Sequence, residues 1–335
     1  MRHLKRLVAA AIATFLGLTC GAALADGNIR ILTAPTGSIV HTTGSAISSV
    51  VSKNTDYTML AAPMSGPQIY VPQLDGGRAE FALLNAADAH EAFSGGAGYR
   101  QAYKNLRLAA VGFTNELGVI VPADSDIKTG KDLKGKRVSG VFSAHKTCEQ
   151  LASAQMANFD VSWDDVTVVP VTHSRTAVQA LGDGRVDAAL CVPLGQAIVQ
   201  EINAQTPVRF ISLNNDPQAV ARTRAKFPAG EIRGYKAGDS VGLIDDAYIW
   251  SYPFYLAVNK DVPDDEVYTV VKTISEHVQD LRGISGVFNR WVPEKMIGVD
   301  ITLPVHEGAK RFYQEAGLWN DGVEAADQKL LRDAR

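Results

Sequence analysis

One pair of residues in the sequence could act together as a nucleophile and its base. His145 and Cys148 lie close together where the pattern predicts the start of a helix. A helix N-terminus lowers the pKa of a thiol, and an imidazole can accept the proton that the thiol releases. The alternative is that Cys148 is a structural cysteine beside a ligand-facing loop. The spacing of these two residues makes an exported enzyme the second hypothesis for the function of the protein.

Other motifs for catalysis, metal binding or nucleic-acid binding are absent from the sequence. The chain has neither a G-x-S-x-G elbow nor an H-E-x-x-H motif, and its histidines and cysteines lack the spacing of a zinc site. The stretch 130–137 is similar to a P-loop, but it precedes a strand and lacks the Ser or Thr that holds magnesium. With 33 basic and 36 acidic residues, the chain has no basic excess for nucleic acid. We therefore expect no enzymatic activity, no cofactor, no metal and no nucleic-acid partner.

Polar side chains are concentrated in the loops that follow the predicted strands. In open parallel α/β sheets, ligands sit beyond the carboxyl ends of the strands, and the N–H groups of helix N-termini there favour anions. Ser, Thr and Asn are also favoured at helix starts as N-caps, so each could be structural. Asp88 lies in one of these loops as well. The candidate ligand-binding residues are Thr36, Gly37, Ser38, His41, Thr42, Ser65, Asn85, Ser143, His145, Lys146, Thr147, Arg175 and Trp250.

Two of these candidates are cations at predicted helix starts. The helix dipole prefers negative charge at that end, so the positions of Lys146 and Arg175 suggest a functional reason. A carboxylate bound between them would satisfy both cations, and His41 could add a further donor. The alternative is that both cations point into solvent or pair with acids such as Glu149.

The order of the elements predicts two α/β lobes. Short β-rich runs alternate with helical patterns, which is typical of parallel βαβ units. The segment 74–83 is echoed at 181–190, where Leu, Gly, Arg, an acid and Leu recur in the same order. The predicted strands are Ile29–Leu32, Tyr57–Ala61 and Phe81–Leu84 in the first lobe, and Arg137–Val141, Val166–Val171 and Val186–Val192 in the second.

Two long extended stretches connect the predicted lobes. They cover Leu106–Val121 and Tyr248–Val258, and an amphipathic helix over 264–281 follows the second. A two-strand hinge of this kind is typical of clamshell binding proteins that close around a ligand. We predict that lobe one comprises residues 26–120 and 252–335, including the C-terminal helices, and that lobe two comprises residues 121–251.

The second extended stretch carries three aromatic residues at alternate positions. Tyr248, Trp250 and Tyr252 should share one face, because side chains along a strand alternate between its two faces. This face either packs into a core or places Trp250 as a wall of the cleft at the hinge.

The N-terminus is typical of a secretory signal peptide. Basic residues in Met1–Arg6 precede the apolar run Leu7–Leu18, and small residues follow at Ala23–Ala25. The apolar run is shorter than the about 20 residues of a membrane-spanning helix. We predict cleavage after Ala25 and export to the periplasm; lipidation of Cys20 is the weaker alternative, because the preceding residues are a poor lipobox.

Cys148 and Cys191 are the two cysteines that remain after cleavage. If the strands of lobe two follow a 2-1-3 order, Cys148 opens the helix after one strand and Cys191 ends its neighbour. Both would then lie at one rim of the sheet, either as a disulfide or as two buried thiols.

Most of the chain after residue 25 resembles a TAXI-type solute-binding protein of TRAP transporters. The segments that carry the resemblance are 33–44, 76–89, 105–141 and, most specifically, 303–318, which contains Leu303-Pro304-Val305-His306-Glu307-Gly308-Ala309. The resemblance departs at His41, at the turn 143–147, and at 248–250, where the family has other residues.

The resemblance implies a two-lobed clamshell similar to the type II periplasmic binding proteins, with a two-strand hinge. It also implies a receptor that delivers a small organic anion to the permease subunits of a TRAP transporter. The ligand would be a dicarboxylate, a 2-oxoacid or a glutamate-like molecule. A sensory ligand-binding module on the same fold is a further alternative, and we expect a monomer.

Overall fold

The computed structural model describes residues 27–36, 38–96, 98–143 and 146–334. Strands and helices alternate through most of this length, and helices end it. The strands are β1 (Asn28–Thr33), β2 (Thr58–Pro63), β3 (Phe81–Asn85), β4 (Leu106–Pro122), β5 (Arg137–Gly140), β6 (Thr167–Pro170), β7 (Ala189–Pro193), β8 (Val208–Ile211), β9 (Glu231–Tyr235) and β10 (Ala247–Asn259). The helices are α1 (Ile39–Asn54), α2 (Pro67–Asp75), α3 (Ala86–Ser94), α4 (Lys146–Phe159), α5 (Ser174–Gly182), α6 (Ala197–Asn203), α7 (Pro217–Lys226), α8 (Asp264–Glu276), α9 (Val278–Ile284), α10 (Glu307–Glu315) and α11 (Asp321–Asp333).

The first lobe is built on parallel strands in the order β2-β1-β3. β1 pairs with β2 along its whole length, and with β3 at Ile31 and Leu32. Every residue of β3 is buried, as expected for a parallel strand that is covered on both faces. The carboxyl ends of β1 and β3 therefore lie at the same edge of this sheet.

The second lobe repeats this order. β5 and β6 pair in parallel, and Val138 of β5 forms a parallel bridge to Ala188, which precedes β7. The strands Arg137–Val141 and Val186–Val192 of the sequence prediction are therefore neighbours, and the order β6-β5-β7 is the predicted 2-1-3 arrangement.

Two long antiparallel strands, β4 and β10, run through both lobes. β10 pairs with β3 over Phe254–Val258 and with β9 over Ala247–Ser251. β4 pairs with β7 and β8 from Leu117 onward. The partners of β4 change over residues 112–116, and those of β10 change over residues 252–253.

Pro253 lies at this change of partners. It follows the last residue paired with β9 and precedes the first residue paired with β3, so at this point β10 has β4 as its neighbour on one side only. A residue without a backbone N–H is tolerated there because no second strand needs that donor. A register shift between β10 and β4 follows at Tyr255.

The C-terminal segment packs on the first lobe. Leu108 of β4 bridges to Val305, and the Tyr313 hydroxyl donates to the Ala109 carbonyl at 2.7 Å. The single helix expected over 264–281 is wrong, because α8 ends at Glu276 and α9 begins at Val278. His277 between them has φ −108° and ψ 25°, outside helical geometry.

The fold is thus mixed α/β with two lobes joined by two strands, which confirms the predicted class. Among the described residues, no helix combines the length and the apolar character needed to cross a membrane.

Candidate functional site

The loop after β1 forms a local helix cap. Ser38 is the N-cap of α1, and its side chain accepts from the backbone N–H of His41. The His41 Nδ1 atom lies 2.9 Å from the Thr33 hydroxyl, and the Thr42 hydroxyl donates to the Ser38 carbonyl. Thr36 and Ser65 are exposed in turns. The capping alternative therefore accounts for part of this set, and Gly37 and His145 lie outside the described residues.

The two lobes meet where α3 and α4 begin. Asn85 is the N-cap of α3, and its Oδ1 atom accepts from the backbone N–H of Asp88 at 2.8 Å. The Thr147 hydroxyl, in the first turn of α4, lies 3.5 Å from the Asp88 carboxylate. Asn85 and Thr147 are thus brought together from different lobes, and Asp88 lies between them. The exposed Ser143 lies in the loop that leads to α4.

Asp88 interacts electrostatically with three tyrosines. Burial raises the pKa of its carboxyl to about 6, against the hydrogen bonds from Asn85 and Thr147, which lower it. Asp88 in turn contributes to the raised pKa values of Tyr70, Tyr99 and Tyr252, although desolvation is the main cause for each. Its position in a helix first turn is a common one for Asp, so the sequence does not single it out.

The hinge strands contribute a second pair of polar groups. The Asn115 amide on β4 donates to the Tyr252 hydroxyl on β10 at 3.2 Å. Tyr252 is almost completely buried, and its ring packs 5.3 Å from the ring of Phe227.

Trp250 belongs to the core and not to the wall of a cleft. Its side chain is fully buried, and the indole N–H donates to the Ala229 carbonyl at 3.1 Å. Tyr248, two residues earlier, is 42% exposed. The core alternative therefore describes Trp250, whose buried side chain is not open to a ligand.

The two cations expected at helix starts pair with acids at the surface. Lys146 lies 2.9 Å from Glu149, and Arg175 lies 3.7 Å from Glu201, with all four side chains at least 40% exposed. The geometry thus favours the solvent-facing alternative for both residues. The pairing of Lys146 with Glu149 is the alternative considered from the sequence, whereas the partner of Arg175 could not be predicted, because Glu201 is distant along the chain.

Cys148 and Cys191 form a disulfide. Their Cα atoms are 5.5 Å apart, and both residues are buried at the same rim of lobe two. The Gln155 side chain accepts from the backbone N–H of Cys191 at 2.9 Å, which further ties α4 to β7. A thiol in a disulfide cannot act as a nucleophile, so the geometry opposes a catalytic pair of His145 and Cys148.

A separate cavity lies beside the hinge, with a volume of about 880 Å³. Its lining includes Thr114 and Glu116 of β4, Ser251 and Pro253 of β10, and Arg290. None of the residues singled out from the sequence lines this hinge cavity.

Comparisons with known proteins identify relatives of this chain. The model that describes the NMT1-like family matches residues 31–317. A TctC solute-binding protein from Polaromonas has a similar structure, with a TM-score of 0.55 and 14% identity over 92% of this chain and 95% of that chain. R. palustris Rpa4515 with adipate gives a TM-score of 0.52 at 13% identity, covering 92% of this chain and 97% of that chain. A periplasmic transporter gives 0.51 at 14% identity, covering 91% and 96%. These likenesses show a fold shared with solute-binding and transport proteins.

Proposed function

The chain belongs to the NMT1-like family, and we propose that it is a periplasmic receptor that binds a small organic anion between its lobes. It delivers this solute to the permease subunits of a TRAP-type transporter. The signal-peptide pattern of residues 1–25, which lie outside the described part of the chain, supports export.

The observation that carries this proposal is the meeting of α3 and α4 at Asp88 and Thr147. The N-termini of both helices present backbone N–H groups and favour negative charge. A solute held at this point would contact both lobes, so that its binding favours the closed arrangement. The adipate of the R. palustris relative is a dicarboxylate, in keeping with an anionic solute here.

The proposed ligand contacts come from the loops after β1, β3 and β5. They are Thr36, Gly37, Ser38, His41, Thr42, Asn85, Ser143, His145 and Thr147, with Ser65 at the edge of the same region. Lys146 and Arg175 are weaker candidates because of their surface ion pairs.

The test is a thermal-shift screen of the mature protein against dicarboxylates, 2-oxoacids and amino acids. A ligand at about one hundred times its Kd stabilises the folded state by about 2.7 kcal/mol and raises Tm by several degrees. Each hit is then titrated by calorimetry against Asn85→Ala and Thr147→Val, which alter one lobe each. Thr269→Val, at a half-buried position of α8 outside the proposed site, is the matched control and should bind normally.

Binding of no member of the screen would contradict the receptor function. Unchanged affinity in both Asn85→Ala and Thr147→Val would place the solute elsewhere. TRAP permease genes beside the gene for this chain would support the transporter class, and a different class of permease there would contradict it.

A further inference from the structure

We propose that Asp88 accepts a hydrogen bond from an ammonium group of the bound solute, so that the receptor selects an amino acid over the corresponding unsubstituted acid. This inference rests on the proposed function, because it concerns the solute held between α3 and α4.

The Asp88 carboxyl lies between the N-cap residue of its own helix, Asn85, and the other lobe. In a capping box it would accept from the backbone N–H of the N-cap residue. Instead, its Oδ2 atom accepts from the Asn85 side-chain amide at 2.6 Å, and the Thr147 hydroxyl of the other lobe lies 3.5 Å from the same oxygen. The exchange of hydrogen bonds with Asn85 fixes the carboxyl at the start of α3, and the same Oδ2 atom remains within reach of the other lobe.

The carboxyl lacks a cationic partner within the described residues. No ion pair among the described residues includes Asp88, and its side-chain hydrogen-bond partners, Asn85 and Thr147, are neutral. Buried carboxylates are ordinarily paired with a cation, because desolvation penalises an unpaired charge. An ammonium group on the solute would supply that cation when the lobes close.

The surroundings of Asp88 suit a polar occupant. The Asp88 side chain is largely enclosed by protein but keeps some solvent-accessible surface. Partial exposure of this kind is expected for a group that faces a cleft. The Tyr99 hydroxyl is buried and has no hydrogen-bond partner among the described residues. The charge of Asp88 contributes to the raised pKa of this hydroxyl. Tyr70 donates to the Leu83 carbonyl, and Tyr252 accepts from Asn115, so these two hydroxyls are engaged.

Desolvation raises the pKa of Asp88 to about 6, so the group is largely ionised at pH 7 and half protonated at pH 6. An ammonium group beside it favours the ionised form, whereas a second carboxylate favours the protonated form. Binding at pH 6 should therefore release protons for an amino acid and take up protons for a plain acid.

The experiment compares matched pairs of probes that differ in the amino group alone: L-glutamate and glutarate, L-aspartate and succinate, and L-alanine and propionate. Each is titrated by calorimetry at pH 7 against the wild type, Asp88→Asn and Glu91→Gln. The last variant removes an acid from the same helix and serves as the control for charge. We expect at least one amino acid to bind tenfold or more tightly than its partner. Asp88→Asn should abolish that preference by weakening the amino acid, and Glu91→Gln should keep it.

Titrations at pH 6 in two buffers of different ionisation enthalpy give the second measurement. Among the described residues, the ionisable groups that interact electrostatically with Asp88 are Glu91, Tyr70, Tyr99 and Tyr252; the tyrosines have raised pKa values and do not titrate at pH 6. Proton release should occur in the wild type and in Glu91→Gln, and it should be absent in Asp88→Asn.

Two results would overturn the inference while leaving the receptor function intact: plain acids that bind as tightly as their amino partners in every pair that binds, or an equal loss of both members of a pair in Asp88→Asn. Failure of every probe, together with failure of the wider carboxylate screen, would contradict the receptor function itself.

Discussion

The Glu116 carboxylate forms an ion pair with the Arg290 guanidinium at the edge of the hinge cavity. Glu116 lies in β4 where the strand passes from one lobe to the other, and its side chain is only 4% exposed. Arg290, in contrast, is 38% exposed and comes from the segment after α9. The Thr114 hydroxyl donates to the same carboxylate at 2.5 Å.

Arg290→Ala should therefore destabilise the protein more than Glu116→Gln. Removing the arginine leaves a buried carboxylate without a countercharge, at a cost of about 3 kcal/mol, the low end for breaking a buried pair. Removing the carboxylate charge leaves an arginine that water can still reach. Urea unfolding of both single variants and the double variant measures this. Equal effects of the two single variants would show that the carboxylate is not buried in solution.

The disulfide between Cys148 and Cys191 should stabilise the protein by about 4 kcal/mol, since it closes a loop over 43 residues of sequence separation. Urea unfolding of the wild type with and without reductant gives the difference. The double variant Cys148→Ala/Cys191→Ala is the control, and its stability should not respond to reductant. Detection of two free thiols in unfolded, unreduced protein would contradict the bond.

Lys146→Ala and Arg175→Ala should each weaken binding of an identified ligand by less than tenfold, or about 1.4 kcal/mol. Their partners Glu149 and Glu201 hold them at the surface, where ion pairs contribute little. Calorimetry with the ligand found in the screen tests both. A larger loss in either variant would show that the cation turns toward the ligand on binding, as the sequence pattern suggests.

Glu266→Gln should stabilise the protein at neutral pH but not under acidic conditions. Glu266 is buried at the start of α8, and burial followed by repulsion from Glu80 raises its pKa to about 7, from an ordinary value of 4.5. The folded state therefore holds a proton that the unfolded state has released between these two pH values. The contribution of Glu266 to folding stability therefore falls as the pH rises from about 4.5 to about 7, and substitution by glutamine removes this pH dependence.

The measurement for Glu266→Gln is the difference in Tm between variant and wild type across the pH range. This difference should grow from about pH 4.5 to about pH 7 and then level off. Glu276→Gln, on the same helix but 58% exposed, controls for the loss of a surface charge. A difference that does not change with pH would contradict the raised pKa.

The sequence predicts the α/β class, the repeated lobes and the two hinge strands, because these depend on patterns among neighbouring residues. The period of apolar residues determines strand or helix, and parallel βαβ units restrict the order of the strands. The shared rim of Cys148 and Cys191 follows from that order, although the bond between them does not. The sequence does not predict the break between α8 and α9 at His277, because the apolar periodicity continues through this residue into α9.

The partners of the polar side chains were decided by tertiary structure alone. Thr147 contacts Asp88 although they are 59 residues apart in the sequence, and Arg290 contacts Glu116 although they are 174 residues apart. Such pairs form where folding brings two surfaces together, and no local pattern encodes which rotamer each side chain adopts. Trp250 shows the same limit: its alternation along β10 predicts the face on which it lies, whereas contacts with distant residues, among them Phe227 and the Ala229 carbonyl, place it in the core. Local periodicity thus determines the scaffold, whereas contacts between distant segments determine which of its polar groups can meet a solute.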